Sequence, residues 1–211
     1  MKKLAISQRV EEHQDYAERR DCLDQRWSDF ADALNCAPIP LPNIRTDKVD
    51  AYLNLILPDA IILSGGNSLL TQNETAHDAA PERDAFESAL LDWGLANNKP
   101  ILGICRGMQF INHYFGGSTV EIGGHVARRH RISFCGDLSD AAAMDVNSFH
   151  NFGLKPEHLG NQLNPLAMAE DGTVEALSHA AQKIAAVMWH PERENPFSEF
   201  DVSLTRRLLG L

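Results

Sequence analysis

The residues best placed to do chemistry lie in the stretch Ile101-Leu-Gly-Ile-Cys105-Arg-Gly-Met-Gln109. A short apolar run leads into a cysteine with Gly103 and Gly107 two positions to either side, and a helical pattern follows at once. A sharp strand-to-helix turn needs small residues there, because the two backbones approach closely. Such a turn projects its side chain at the carboxyl end of a sheet, and the helix N-terminus favours the thiolate, the form of cysteine that attacks carbonyls. The backbone N–H of Arg106 points where an oxyanion would form. A cysteine at a strand end is ordinarily a packed core residue. The G-x-C-x-G frame reverses that reading.

A cysteine nucleophile needs a base, usually a histidine held by a carboxylate or amide. Of the nine histidines, only His190 follows an apolar run and has a carboxylate two residues on, in Ile184-Ala-Ala-Val-Met-Trp-His190-Pro-Glu192. Pro191 stiffens the link, so that one loop can aim both side chains. Alone, His-Pro-Glu describes a surface turn; beside the cysteine frame it becomes a candidate base with its orienting carboxylate. Ser64-Gly65-Gly66-Asn67, after the apolar run Ala60-Ile-Ile-Leu63, lets a backbone N–H reach a substrate carbonyl with no Cβ in the way.

The elements that must position these groups read as alternating strands and helices. Residues 4–6, 60–63, 101–104, 173–177 and 184–188 are candidate strands, and residues 19–34, 82–97, 106–115 and 203–209 are candidate helices. Pro81 suits the first turn of the second helix, Gly116-Gly117 ends the third, and proline-rich residues 37–42 read as a connection. Residues 118–150 carry shorter and less regular signals. Uninterrupted apolar strands between helices predict an α/β fold, doubly wound, with a mostly parallel sheet and helices on both faces, in a single domain spanning residues 1–211.

Composition narrows the function. The 211 residues are 44% hydrophobic, enough for a sizeable core, and the formal net charge is −10. An acidic chain is a poor general binder of nucleic acid, so no nucleic-acid partner is expected. No apolar run is long enough to span a membrane, and residues 1–16 lack the apolar stretch of a signal peptide, so the expected location is cytoplasmic. Cys22, Cys36 and Cys135 lack metal-ligand spacing, and neither metal nor cofactor is expected. Trp27, Trp93 and Trp189 read as core residues, and His113 as packed or surface-exposed. The oligomeric state is open, a homodimer being compatible.

LSGGN, PILGICRGMQ, SFHNFG and MWHPE, in this order and spacing, resemble the class I glutamine amidotransferase family, and within it the stand-alone γ-glutamyl hydrolases of the C26 peptidase group. The resemblance runs from about Leu4 to Glu192. It implies Cys105 as nucleophile, His190 as general base and acid, Glu192 as orienting carboxylate, and Gly66 and Arg106 as oxyanion N–H donors. It further implies that Gln109 and the segment Ser148-Phe149-His150 hold the α-amino and α-carboxylate ends of a glutamyl group. Met188 departs from the glutamine that many relatives carry before the aromatic residue and His-Pro-Glu. ISQR at the start, YAERRDCLDQRW from Tyr16 to Trp27, SFHNF and MWHPEREN are similar to the branch that hydrolyses γ-glutamyl-CDP-amidate in capsular polysaccharide decoration.

The resemblance therefore implies a small-molecule γ-glutamyl substrate and release of glutamate through a thioester. Three alternatives stand beside this substrate: γ-glutamyl-aminobutyrate, glutamine feeding ammonia to a partner synthase, and a non-enzymatic binding module of the same fold. A cytidine diphosphate group would need cationic partners. Arg106 follows the nucleophile, Arg128, Arg129, His130 and Arg131 form a basic run, and Arg9, Arg19 and Arg20 lie near the N-terminus. Arg106 and Arg129 are the phosphate candidates, although a basic run is more often a solvated face.

Overall fold

A strand that is apolar along its whole length is stable only when both faces are covered. The computed structural model, which describes residues 1–13, 15, 17–72 and 76–211, provides that cover. The first half of the chain runs through β1 (Lys2–Ser7), β2 (Arg9–His13), β3 (Glu18–Cys22), α1 (Arg26–Ala33), β4 (Cys36–Leu41), α2 (Val49–Ile56), β5 (Ala60–Leu63) and α3 (Pro81–Ala96). The second half continues with β6 (Ile101–Ile104), α4 (Arg106–Tyr114), β7 (Val120–Glu121), β8 (Val126–Phe134), β9 (Met144–Phe149), β10 (Phe152–Gly153), β11 (Leu163–Ala169), β12 (Val174–His179), β13 (Ile184–Val187) and α5 (Glu199–Leu209).

Among the described residues, nine strands form one sheet in the order β4-β1-β5-β6-β13-β12-β11-β8-β9. The first five run parallel, and the last four extend the sheet by antiparallel pairing. Successive side chains of a strand point to opposite faces. Leu4, Ile6 and Ile62 accordingly join Trp27, Phe30, Leu204 and Leu209 in the core under α1 and α5. Ala5, Ile61 and Leu63 join Leu53, Phe86, Leu90, Met108 and Ile111 under α2, α3 and α4. Trp27, Trp93 and Trp189 are all buried, and His113 is exposed. No helix is long and apolar enough to cross a membrane among the described residues.

Two expectations are corrected. The predicted helix over 19–34 begins only at Arg26, because Glu18–Cys22 is the second strand of a hairpin whose register pairs Arg9 with Cys22 and His13 with Glu18. That strand is largely exposed and held by ion pairs such as Arg19–Glu12 at 3.2 Å, so it carries no apolar alternation to betray it. Tyr16, which precedes it, lies outside the described residues. The expected proline-rich connection over 37–42 is the edge strand β4, parallel to β1 with Pro38 opposite Leu4 and Pro40 opposite Ile6. Prolines two apart turn their missing N–H groups to the same side, and an edge strand has one side that needs no donors.

The closing helix starts earlier than predicted. Ser198 caps it by accepting from the Asp201 amide, and Gly210, at φ 62°, ends it. Asp201 is buried and accepts a 3.0 Å bond from Trp189 Nε1. Burial pushes this carboxyl up to about 6, against the lowering effect of the Trp189 bond. A raised carboxyl favours its protonated form, so its cost to stability grows as pH climbs from 3.8 through about 6. Asp201→Asn keeps the acceptor and removes the charge. Thermal denaturation at about pH 8 should show a gain of roughly 1–3 kcal/mol that disappears near pH 4; equal effects at both pH values would contradict this account of Asp201.

Candidate active site

β6 ends at Ile104, and Cys105 stands between it and α4 with φ 51° and ψ −104°. A non-glycine residue in that region costs on the order of 1–3 kcal/mol and persists only where its surroundings impose it. Here the imposition is visible. A Cβ on Gly107 would lie 2.2 Å from the Leu63 carbonyl oxygen, and one on Gly103 would lie 2.6 Å from the Gly107 carbonyl carbon. The Cys105 amide bonds the Val187 carbonyl at 2.8 Å, which ties the turn to β13. The Arg106 amide belongs to the first turn of α4, whose N–H groups have no partner within the helix.

β13 runs through Met188 and Trp189 into His190. Asn147, from β9, clamps the His190 backbone on both sides: its Oδ1 accepts from the His190 amide at 2.9 Å and its Nδ2 donates to the His190 carbonyl at 2.8 Å. Pro191 opens one turn of 3₁₀ helix, which brings Glu192 Oε1 to 2.6 Å from His190 Nδ1. Gly65 makes room for the imidazole, since a Cβ there would sit 2.7 Å from His190 Cε1. Cys105, His190 and Glu192 are 7%, 2% and 2% exposed. Burial alone would drive the proton off His190. The Glu192 carboxylate, followed by the charge and hydrogen bond of Cys105, outweighs it and holds the imidazole up at about 9.

The loop Ser64–Asn67 is held from beneath by Arg83 of α3. Its guanidinium donates to the carbonyls of Ser64 at 2.6 Å, Gly65 at 3.2 Å and Gly66 at 2.7 Å, and to Asn67 Oδ1 at 3.1 Å. The carbonyls of Ser64, Gly65 and Gly66 are thereby turned toward Arg83, and the Ser64 amide donates to Ser7 Oγ at 3.0 Å. Asn67 also pairs with both backbone groups of Val10, at 2.8 Å each, and so fastens the loop to β2. Gly66 sits at φ 86°. Burial and the neighbouring Arg106 together lower the Arg83 pKa to about 10, still far above neutral.

A cavity of about 210 Å³ opens above Cys105 and is lined in part by Gly66, Gln72, Gln109, Phe149, His150 and Arg193. Gln109 lines this cavity, where its amide donates to the Phe152 carbonyl at 2.9 Å and accepts from Gln72 at 2.9 Å. Phe149 stands edge-on to His190, ring centroids 5.8 Å apart. Ser148 departs from expectation. Its fully buried hydroxyl donates to the His125 carbonyl at 2.6 Å, and it does not line the cavity.

Both phosphate candidates are also corrected. Arg106 borders the cavity above Cys105, but its guanidinium bonds the buried Glu87 and the half-buried Asp84, so its charge is committed to carboxylates of α3. Arg129 pairs with Glu194 at 2.8 Å and the Asp145 carbonyl at 2.8 Å, over a shallow depression that does not contain Cys105. Arg128 and Arg131 are exposed, as a solvated face would be. Arg193 also reaches the site, stacked over Phe149 at 4.8 Å. It lines both the cavity above Cys105 and an adjoining one of about 330 Å³ bounded by Arg9, Trp27, His190 and Glu192. Its position directly after His-Pro-Glu was the available signal. Asn147 and the Arg83–Glu87 pair, 2.9 Å apart, had none. A larger cavity of about 590 Å³ lies at the opposite ends of the parallel strands, near Lys2, Pro100 and Ile184, away from these groups.

A peptidase C26 family profile matches residues 4–192. The chain is 33% identical over 202 residues, covering 94% of each chain, to the γ-glutamyl-CDP-amidate hydrolase of Campylobacter jejuni subsp. jejuni serotype O:2. It is 33% identical to the glutamine amidotransferase-like protein YvdE of Lactococcus lactis, over 84% of this chain and 83% of that one. Its fold is shared with a glutamine amidotransferase of Thermotoga maritima, at TM-score 0.66 and 14% identity, over 99% of this chain and 84% of that one.

Proposed function

The chain belongs to the peptidase C26 family of glutamine amidotransferase-like hydrolases and acts on amide bonds; from that premise we propose that it cleaves a γ-glutamyl amide through a thioester on Cys105, and that the amide is γ-glutamyl-CDP-amidate. The observation that carries the reading is the buried line from Glu192 through His190 to Cys105, set at a strained turn.

In the proposed cycle the Cys105 sulfur attacks the γ-carbonyl carbon while its own proton resides on His190. The amides of Gly66 and Arg106 hold the oxyanion. Collapse breaks the C–N bond, and His190 delivers its proton to the departing nitrogen. Water, deprotonated by His190, then attacks the thioester. Glutamate leaves, and the thiol is restored. Gln109, Phe149 and His150 would border the glutamyl group, in the cavity that already contains the sulfur.

The choice of leaving group rests on the adjoining cavity and on the Campylobacter relative. Arg193 and Arg9, the latter paired with Glu11, line the adjoining cavity together with His190, on a chain whose net charge is −10. Arginine's planar fork suits a diphosphate because it bonds two oxygens at once. Glutamate release from γ-glutamyl-CDP-amidate, glutamine and γ-glutamyl-aminobutyrate, measured side by side, tests the choice. Two charge-assisted contacts of about 1.5–3 kcal/mol each should give the nucleotide substrate a kcat/KM roughly 10²–10⁴-fold above the others. A kcat/KM for glutamine or γ-glutamyl-aminobutyrate equal to or above it would reject this substrate.

A further inference from the structure

Three histidines and a glutamate meet inside the protein on the side of Phe149 and His150 away from Cys105. Glu175 of β12 is 1% exposed. Its Oε1 lies 3.6 Å from His125 Nδ1 and 3.8 Å from His150 Nε2, and its Oε2 lies 3.3 Å from His130 Nε2. The outer nitrogens of two of these rings are already engaged by groups that only accept. His125 Nε2 is 3.0 Å from Asp171 Oδ2, and His150 Nδ1 is 3.0 Å from the Phe152 carbonyl. Those bonds put the proton on the outer nitrogen of each ring. The inner nitrogens are thereby left as lone pairs, aimed at a carboxylate.

Such an arrangement is repulsive as it stands. His125 Nδ1, His130 Nε2, His150 Nε2 and Glu175 Oε2 are all buried without a hydrogen-bond partner, and each such atom has lost its water with nothing in exchange. A proton shared by His130 and Glu175 would relieve one contact only, leaving two imidazole lone pairs facing the carboxylate. A cation at their centre would relieve all four. One donor atom each from His125, His130 and Glu175 lies within 4.8 Å of the others. His125 and His150 meet Glu175 Oε1, and His130 meets Oε2, at 3.3–3.8 Å, near the spacing of about 3.3 Å between ligands around a tetrahedral ion with bonds of 2.0–2.1 Å. Asp171 and the Phe152 carbonyl stand where outer partners of metal-bound histidines commonly stand. Asp171 is itself fixed by the Thr173 amide at 2.9 Å and hydroxyl at 2.7 Å.

We propose that His125, His130 and Glu175 bind a divalent transition-metal cation of the zinc class, with His150, whose Nε2 lies 3.8 Å from Glu175 Oε1, drawn in as the fourth ligand. Nitrogen-rich donors with one carboxylate favour zinc and its neighbours over magnesium or calcium. No spacing in the sequence points to this site, because its ligands come from β8, β12 and the ends of two connecting segments. The cation would join the β8–β9 hairpin to β12. Because His150 also borders the cavity above Cys105, it would brace one wall of that cavity. The inference depends on the side-chain geometry alone and stands whatever the substrate.

Metal analysis of the full chain tests it. The protein is purified without chelators, loaded with Zn²⁺ and desalted. It should retain about one zinc ion per chain by mass spectrometry and unfold at a higher temperature than the chelator-treated protein. Co²⁺ loading of the wild type should give the intense visible absorption of a tetrahedral site, a readout that needs no variant. Glu175→Gln and His130→Gln should each lose at least nine-tenths of the zinc, whereas Cys105→Ser should keep it. Wild type that retains no zinc, or zinc that is lost in Cys105→Ser and kept in Glu175→Gln, would overturn the proposal.

Discussion

Cys105→Ala is expected to abolish γ-glutamyl amide hydrolysis, lowering kcat/KM by about 10⁴-fold or more, with little change in the unfolding temperature. The side chain is small and already 7% exposed at the floor of a cavity, so its removal opens little new space in the core. Alanine also meets the same φ of 51° that cysteine tolerates, so the backbone cost is unchanged. What disappears is the only atom in the cavity able to form the thioester. Residual turnover within tenfold of wild type would mean that water is activated directly, and the covalent route would fall.

Glu192→Gln should have the second largest effect, a fall of about 10²–10⁴-fold in kcat, together with a displaced pH profile. Glutamine preserves the shape and can still accept from His190 Nδ1, but it withdraws the negative charge that offsets burial. With Glu192 in place, His190 keeps its proton until the pH passes about 9, well above the ordinary 6.5. The proton needed by the departing nitrogen is therefore present through neutrality and lost on the alkaline side. In folding terms, the pair's contribution is complete below 6.5 and vanishes as pH rises through about 9. The alkaline limb of kcat against pH should lie near 9 in the wild type and move toward neutrality in Glu192→Gln. An unmoved limb would show that Glu192 does not hold the imidazolium.

The chemistry-bearing positions were legible because short-range geometry dictates them. Gly103 and Gly107 are required by backbone contacts of the turn itself, and Pro191 sets the reach from His190 to Glu192 within three residues. The buried strands 60–63, 101–104 and 184–187 announced themselves by unbroken apolar character. Hidden elements lacked such local cause. β3 is an exposed strand of charged residues, and β4 carries two prolines that only an edge position excuses.

Side-chain partners chosen at long range were equally silent. Arg106 follows the nucleophile and so invites a substrate role, yet Glu87 and Asp84 of another helix claim its charge. Ser148 lies in the segment that borders the glutamyl cavity, but strand alternation turns its hydroxyl inward to His125 while Phe149 faces the other side. Asn147 and Arg83 work by bonding backbone carbonyls and amides of distant loops, a role that no residue type declares.

The central claim is that a γ-glutamyl group becomes covalently attached to the Cys105 sulfur. Acid quenching during turnover, followed by mass spectrometry of the peptide that contains Cys105, reads this directly. The account predicts one glutamyl group on that cysteine, accumulating when acidic pH keeps His190 protonated and slows deacylation, and none on Cys22, Cys36 or Cys135. Glutamate release at full rate with Cys105 never modified, and unaffected by alkylation of its thiol, would contradict it.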